Sequence, residues 1–528
     1  MTSETYDYII VGSGSAGAVI ASRLSEKADL KVLLLEAGGP DTRAEIHVPF
    51  YATKLFKTRL DWAYYTEEEP HLNFRRIYWP RGKVLGGSSS SNFMTVQRGH
   101  PHDFDRWCEL GNSEWSFSKL LPYYKKLENH FSGPSEYHGV GGPVNVARLK
   151  CINPLTHVYL EAAVEAGFSR THDHNGAHPD GVDHVQVTQK GGRRWSVVDG
   201  YLTPARGRQN LTIKTHAPVT SLMIDKKRVR GVTCVQDGKV LQIFASREVI
   251  LCGGVINSPQ LLMLSGIGPA DPLKSLGIPI VLDLPGVGQN LQDHFLVPIN
   301  YHCKKPISLA NAELAENQDI YMSSRDGPLT SNQVEGVNIV KTDPTLPVSD
   351  LSINFVPNYF LDYGFKSYDA HAFNFYTTLR RAESVGDLTL FSKNPFAPPR
   401  VRANYLSKSN ELKTLLKGVK IVREIAHAKP FAPYRGSELD PGKSAQTESA
   451  IADYIRNRGQ SEFHPVGTCK MGNDPLAVVD QQLRVRGIEG LRVADASIFP
   501  TQISVAANIT VIMIGEKAAA MISKGEAS

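Results

Sequence analysis

Tyr6-Asp7-Tyr8-Ile9-Ile10-Val11-Gly12-Ser13-Gly14-Ser15-Ala16-Gly17-Ala18-Val19-Ile20-Ala21-Ser22-Arg23-Leu24 decides how the first part of this chain folds. The run 6–11 is short, apolar and β-rich, as a buried parallel strand requires. Glycine then recurs in the spacing G-x-G-x-x-G, and Ala18–Leu24 reads as a helix with small residues turned toward a sheet. A second apolar run, Lys31–Leu35, ends in Glu36, 19 residues after Gly17. Strand, turn, helix, strand and acid in this order form the dinucleotide-binding fingerprint. Gly12 permits the tight turn, Gly14 admits a pyrophosphate to the backbone, and Gly17 lets helix and strand pack closely. Ser13, Ser15 and Ala16 complete the turn, whose helix N-terminus offers N–H groups and positive dipole to phosphates. An acid at Glu36 suits free ribose hydroxyls, which disfavours NADP and leaves FAD and NAD.

Outward from this stretch, Trp79-Pro80-Arg81-Gly82-Lys83-Val84-Leu85-Gly86-Gly87-Ser88-Ser89-Ser90-Ser91-Asn92 is a second glycine cluster. Paired glycines and small hydroxyls leave N–H groups and room for a phosphate or a flat ring, and Arg81 and Lys83 add charge. The competing reading, a flexible Ser-rich linker, fits poorly beside Trp79 and Val84-Leu85. This segment resembles the first signature of the glucose–methanol–choline (GMC) family of FAD-dependent oxidoreductases. The second signature is matched at Gly254–Gly268, and the family's Leu-Pro-Gly-Val-Gly-x-Asn-Leu-x-Asp-His run stands at Leu284–His294. The C-terminal block from His464 through Asp495-Ala496-Ser497 to Asn508 matches as well. The resemblance spans the whole chain, and within the family it is strongest to bacterial choline dehydrogenase-like enzymes and aliphatic alcohol dehydrogenases. Departures stand at Ser91, Phe93, Val96, Val255 and Val505-Ala506-Ala507. Serine at 91 cannot form the covalent flavin link that histidine makes in some relatives, so the resemblance implies non-covalent FAD.

The resemblance also implies the remaining cofactor contacts: Ala37, Trp62, Val84, Gly87, Ser91, Asn92, Phe93, Met94, Thr95, Val219, Asp495, Ala496, Asn508, Ile509 and Thr510. Val219 falls where relatives meet the adenine; Trp62 is either an adenine neighbour or a core residue. The implied fold is α/β (α+β). A Rossmann-like, discontinuous FAD-binding domain is expected from 1–150, 201–296 and 464–528. A substrate domain on an antiparallel sheet with helices is expected from 151–200 and 297–463.

Oxidising an alcohol takes a base for the hydroxyl proton and an acceptor for hydride, and histidine is the natural base near neutral pH. Among 17 histidines, His464 is singled out by Phe463-His464-Pro465-Val466-Gly467-Thr468, which resembles the family's active-site run. Pro465 restricts the backbone of His464. Asn508, where the family places His or Asn, is expected to donate a hydrogen bond to the substrate oxygen; its other reading is a helix N-cap. The implied reaction converts a primary alcohol to its aldehyde and passes the electrons to O2 or a quinone-type acceptor. The resemblance favours a neutral alcohol by a small margin. A lyase that keeps FAD in a non-redox role is the alternative on the same fold.

Composition narrows the remaining classes. Lys+Arg exceed Asp+Glu by 58 − 53 = 5, too little for a nucleic-acid surface on a chain of this length. The six cysteines form no CxxC pair, so neither a zinc site nor a disulfide scaffold is expected, and no metal is assigned. The N-terminus lacks a secretory pattern and no 18-residue apolar run occurs, which makes the expected location cytoplasmic, the inner face of a membrane being the alternative. Aromatic residues crowd 355–376, where Phe355, Tyr359, Phe360, Tyr363, Phe365, Phe373, Phe375 and Tyr376 read mainly as sheet core. Gly191-Gly192-Arg193-Arg194-Trp195 reads as a solvated basic loop. Oligomeric state is not legible.

Overall fold

The computed structural model describes residues 4–525, so the outer limits expected for the first domain fall just beyond it. Strand Glu4–Val11 runs into the Gly12 turn and helix Gly17–Leu24 follows. Tyr8–Val11 and Val32–Leu35 are buried throughout, as strands covered on both faces must be. Gly12 adopts φ +99°, and a Cβ there would lie 2.4 Å from the Cys252 carbonyl oxygen. A Cβ on Gly17 would lie 1.9 Å from the Gly12 carbonyl oxygen. The turn therefore closes only with glycine at both places.

Helix Gly17–Leu24 packs on helix Asn508–Gly525, with Gly515 against Val19. Across this contact Arg23 grips the buried Glu516 with Nε at 2.9 Å and Nη2 at 2.8 Å, and the Tyr201 hydroxyl donates to the same carboxylate at 2.9 Å. Helix Asn508–Gly525 is thus joined to the first helix of the chain.

Among the described residues the first sheet has seven strands. Leu211–Lys214, Val32–Leu35, Glu4–Val11, the end of Lys239–Leu251 and Leu491–Val493 lie parallel in that spatial order. The long strand Lys239–Leu251 also carries an antiparallel meander with Arg228–Gln236 and Val219–Asp225 on its N-terminal half. Between 211 and 250 the chain thus forms this meander plus one parallel strand.

The second sheet is antiparallel, in the order Arg435–Asp440, Phe295–Cys303, Ala372–Leu379, Leu351–Val356, Gly336–Val340, Gly181–His184, with Gln460–Ser461 paired to the start of Phe295–Cys303. Its two faces differ, because side chains alternate along a strand. Phe355, Phe373 and Phe375 point to the helix side and pack with Tyr159 and Phe431. Ser352, Asn354, Val356, Tyr376 and Thr378 point the other way, into the cavity described below. Phe355, Phe373 and Phe375 are sheet core as expected, whereas Phe360 and Tyr376 line the cavity and Phe365 is exposed. The solvated-loop reading of Arg193-Arg194 is corrected at one position: Arg194 is 0% exposed. Among the described residues no helix is long and apolar enough to cross a membrane.

Candidate active site

A cavity of about 470 Å³ lies between the two sheets. It starts at the carboxyl ends of the parallel strands, at Val11, Leu35 and Leu251, and runs beneath the antiparallel sheet. Open α/β sheets bind their ligands at such strand ends.

Most of the residues expected to meet a cofactor line this cavity: Gly12, Gly14, Ser15, Ala16, Glu36, Ala37, Trp62, Gly87, Ser91, Asn92, Phe93, Met94, Thr95, Val219, Asp495, Ala496 and Asn508. Ser13, Gly17, Val84, Ile509 and Thr510 do not. Ser13 instead braces the turn: its hydroxyl donates to Glu36 at 2.6 Å and accepts from the Gly86 amide at 3.1 Å. Val84 packs with Ile46, Leu55 and Leu60. Ile509 is in the main core, and the Thr510 hydroxyl is 2.8 Å from that of Tyr124. A sequence motif marks a segment; which side chains face inward depends on packing.

Glu36 is 5% exposed and accepts from the Ser13 amide at 3.0 Å and the Gly38 amide at 2.8 Å. Burial pushes its carboxyl up, against these hydrogen bonds. Among the described residues it has no cation partner, and it keeps acceptor capacity toward the cavity, which suits a ribose hydroxyl. The two glycine clusters meet face to face: a Cβ on Gly87 would lie 2.8 Å from the Gly14 Cα. Trp62 stacks on Tyr64 with centroids 5.9 Å apart and carries the Lys83 ammonium 4.4 Å from its centroid. Asp495, on the C-terminal block, accepts from the Gly254 amide at 2.8 Å and the Ser258 hydroxyl at 2.6 Å, tying that block to the second signature helix. A glycine-lined turn, a buried uncompensated acid and a long slot between the sheets fit FAD in an extended form.

His464 lies at the far end of the cavity, and its backbone is clamped from three sides. Its amide donates to Asp293 at 2.9 Å, its carbonyl accepts from Gln502 at 2.8 Å, and the preceding Phe463 carbonyl accepts from Arg81 at 2.5 Å. Phe463 holds φ +69°, a costly left-handed conformation that these bonds keep in place. Asp293 is itself held by the hydroxyls of Ser461, at 2.5 Å, and Tyr405. Burial pushes its carboxyl up, against those hydrogen bonds and the nearby His464 and Arg81.

The Nδ1 of His464 is 3.0 Å from the Nδ1 of His294 and 3.4 Å from the Glu462 carboxylate. Nε2 is then the nitrogen left for a ligand. Asn508 is the first residue of its helix rather than the residue before it. Its Oδ1 accepts from the Ser15 hydroxyl at 2.6 Å, leaving the side-chain NH2 as the donor it offers. The glycine turn and the candidate catalytic asparagine are thereby linked.

Asp293, His294, Gln502 and Glu462 carry no role in the sequence reading. The first two end the Leu284–His294 run, which identified the family without indicating what it contacts. Glu462 stands on the cavity wall with Phe93, Phe360, Phe463 and Tyr376. Arg380 also lines the cavity, 6% exposed.

A slot for an extended dinucleotide ending at a clamped histidine defines a flavin-dependent oxidoreductase. The chain belongs to the GMC oxidoreductases: the family's N-terminal profile matches residues 6–296 and its C-terminal profile residues 382–515. It is 42% identical to the mitochondrial choline dehydrogenase of Homo sapiens, covering 99% of this chain and 90% of that one. It is also 42% identical to an oxygen-dependent choline dehydrogenase of Acinetobacter baumannii, covering 100% and 98%. Pyridoxine 4-oxidase from Mesorbium loti superposes with a TM-score of 0.91 at 31% identity, covering 98% of this chain and 99% of that one. A formate oxidase from Aspergillus oryzae superposes with a TM-score of 0.93 at 30% identity, covering 99% of each. The protein is an FAD-dependent alcohol oxidoreductase, and these relatives give the lyase alternative no support.

Proposed function

We propose that the cavity oxidises a primary alcohol to its aldehyde, with His464 as general base and Asn508 as hydrogen-bond donor to the substrate oxygen. The observation that carries this reading is the placement of both side chains on one cavity wall system, with His464 Nδ1 already engaged and Nε2 left over. The alcohol hydroxyl gives its proton to His464 Nε2 while its α-carbon gives up hydride. Bound FAD supplies the hydride acceptor. Asn508 stabilises the oxygen without titrating, held in place by Ser15. Cofactor binding is assigned to Gly12–Gly17, Glu36 and the Gly87–Thr95 segment, with Ser91 leaving the flavin non-covalent. The division into a cofactor domain (1–150, 201–296, 464–528) and a substrate domain (151–200, 297–463) is supported by the two sheets, which draw their strands almost wholly from those segments.

A cationic alcohol of the choline type is the second reading. Glu462 favours it, standing on the cavity wall among Phe93, Phe360, Phe463 and Tyr376, where acid and aromatic faces together suit an ammonium head. The choline dehydrogenases at 42% identity lend it weight, and Arg380 on the same wall opposes it.

Mixing the holoenzyme anaerobically with choline and with neutral aliphatic and aromatic alcohols, then admitting oxygen, tests these readings. Bleaching of the flavin by one class identifies the substrate; bleaching by choline alone establishes the cationic head. Fast recovery in air makes O2 the acceptor, and slow recovery points to a quinone-type one. His464→Ala should slow bleaching by about 10²–10⁴-fold at full flavin content. Bleaching at the wild-type rate in that variant would remove His464 as the base.

A further inference from the structure

The base can work only if its free lone pair faces the alcohol. A neutral imidazole carries one proton, and the partner of one nitrogen decides where it sits. His464 Nδ1 has two neighbours. Glu462 is an acceptor only, 3.4 Å away. His294 Nδ1 is 3.0 Å away, with the ring planes at 89°. One proton lies between the two facing nitrogens, and the carboxylate on the His464 side stabilises it there.

His294 is suited to accept that proton's hydrogen bond. It is 1% exposed, and burial together with the charges of His464 and Arg380 holds it neutral, well below the usual histidine range. Its Nε2 is buried with no hydrogen-bond partner among the described residues, but the backbone carbonyls of Ile503 and Arg380, which accept and never donate, favour a proton on that side. The ring is held there by the sheet: His294 immediately precedes strand Phe295–Cys303, whose Leu296 pairs with Thr378, and Arg380 lies two residues beyond Thr378. The charged or titratable groups that face His294 are therefore His464 and Arg380, with the Glu462 carboxylate within 4.8 Å.

We propose that His294 and Glu462 are positioning residues that hold the His464 proton on Nδ1 and so present an unprotonated Nε2 to the alcohol. The proposal rests on the reading of His464 as the base. Neither residue touches the reacting atoms. Without them the imidazole divides between tautomers, and the form with its proton on Nε2 is inert as a base.

The direct test is a long-range ¹H–¹⁵N spectrum of holoenzyme labelled with ¹⁵N-histidine, the His464 signals being identified by their loss in His464→Ala. The expected pattern is a protonated Nδ1 and an unprotonated Nε2. The reverse pattern overturns the proposal. His294→Asn keeps an acceptor near the Nδ1 position and should preserve the pattern, whereas His294→Ala should mix the two tautomers.

In anaerobic mixing, His294→Ala should slow flavin bleaching by about 10–10³-fold with little change in KM, and His294→Asn should recover part of the loss. Glu462→Gln should slow it in the same sense. Bleaching at the wild-type rate in His294→Ala, or no recovery with asparagine at equal flavin content, overturns the proposal. So does a stoichiometric metal ion held by His294, Glu462 and His464 in the purified protein, because it would occupy the nitrogen assigned to the proton. Failure of the base assignment is read separately, from His464→Ala alone, and the spectrum does not depend on turnover.

Discussion

Arg194 shows what a single residue contributes out of sight of the chemistry. Its guanidinium is fully buried with no carboxylate within ion-pair distance among the described residues, and burial lowers it to about 9. It donates to the Ile46 carbonyl at 2.7 Å, the Ser89 carbonyl at 3.3 Å and the Asn92 Oδ1 at 2.8 Å. Asn92 in turn lines the cavity and accepts from the Met94 amide at 2.9 Å. Arg194 thus shapes the backbone turn against which the flavin is expected to lie. Buried acceptors left without donors cost about 1–3 kcal/mol each. Arg194→Met should therefore destabilise the protein by about 2–5 kcal/mol and loosen flavin binding, read as an earlier denaturation midpoint and a lower flavin-to-protein ratio. A variant with wild-type midpoint and flavin content would show that the turn holds without it.

At the scale of elements, the strand–turn–helix unit Glu4–Leu24 works because two glycines remove what would otherwise keep helix and strand apart. Gly17 is the stricter case, since the 1.9 Å approach of a Cβ to the Gly12 carbonyl leaves only displacement of the helix. That displacement would carry Ser15 away from Asn508, its partner at 2.6 Å. Gly17→Ala should yield protein with little bound FAD, measured as flavin absorbance against protein absorbance. Gly207→Ala is the control, because nothing lies within 4 Å of a Cβ at that position. Equal flavin content in both variants would refute the packing argument.

Across the whole molecule, charged groups join segments far apart in sequence. Glu128, buried beside Arg98 at 2.6 Å, also receives His138 at 3.0 Å, and the other nitrogen of His138 meets Asp173 at 2.7 Å. Burial alone would lower His138, but the two carboxylates lift it from 6.5 to about 9. Glu128 and Asp173 are lowered despite burial, through His138 chiefly and, for Glu128, Arg98. A raised histidine gives stability that is complete below its unfolded value near 6.5 and is lost as pH climbs through about 9. The lowered carboxylates give stability that is present above their unfolded values of 4.5 and 3.8 and lost as pH falls through their folded values. Denaturation midpoints should therefore decline between pH 6.5 and 9, and His138→Gln should be less stable at pH 6 with a shallower decline. An unchanged slope in that variant would place the alkaline loss elsewhere.

Some of this protein was determined by local sequence. The Gly12–Gly17 turn and Glu36 were legible because steric clearance and a buried acid act over a few residues, and four motifs in order identified the family. The sheet core at Phe355, Phe373 and Phe375 was legible from the crowding of aromatic residues. Which residues face the cavity was not: Val84, Ile509 and Thr510 are among the expected cofactor contacts yet turn into the protein interior. Nor was the burial of Arg194, or the convergence of Asp293, His294, Glu462 and Gln502 on His464. Those contacts join residues as far as 171 positions apart, as between Asp293 and His464. Only the closing of both sheets over one cavity brings their polar atoms within hydrogen-bond reach, and no local pattern encodes a distance across the fold.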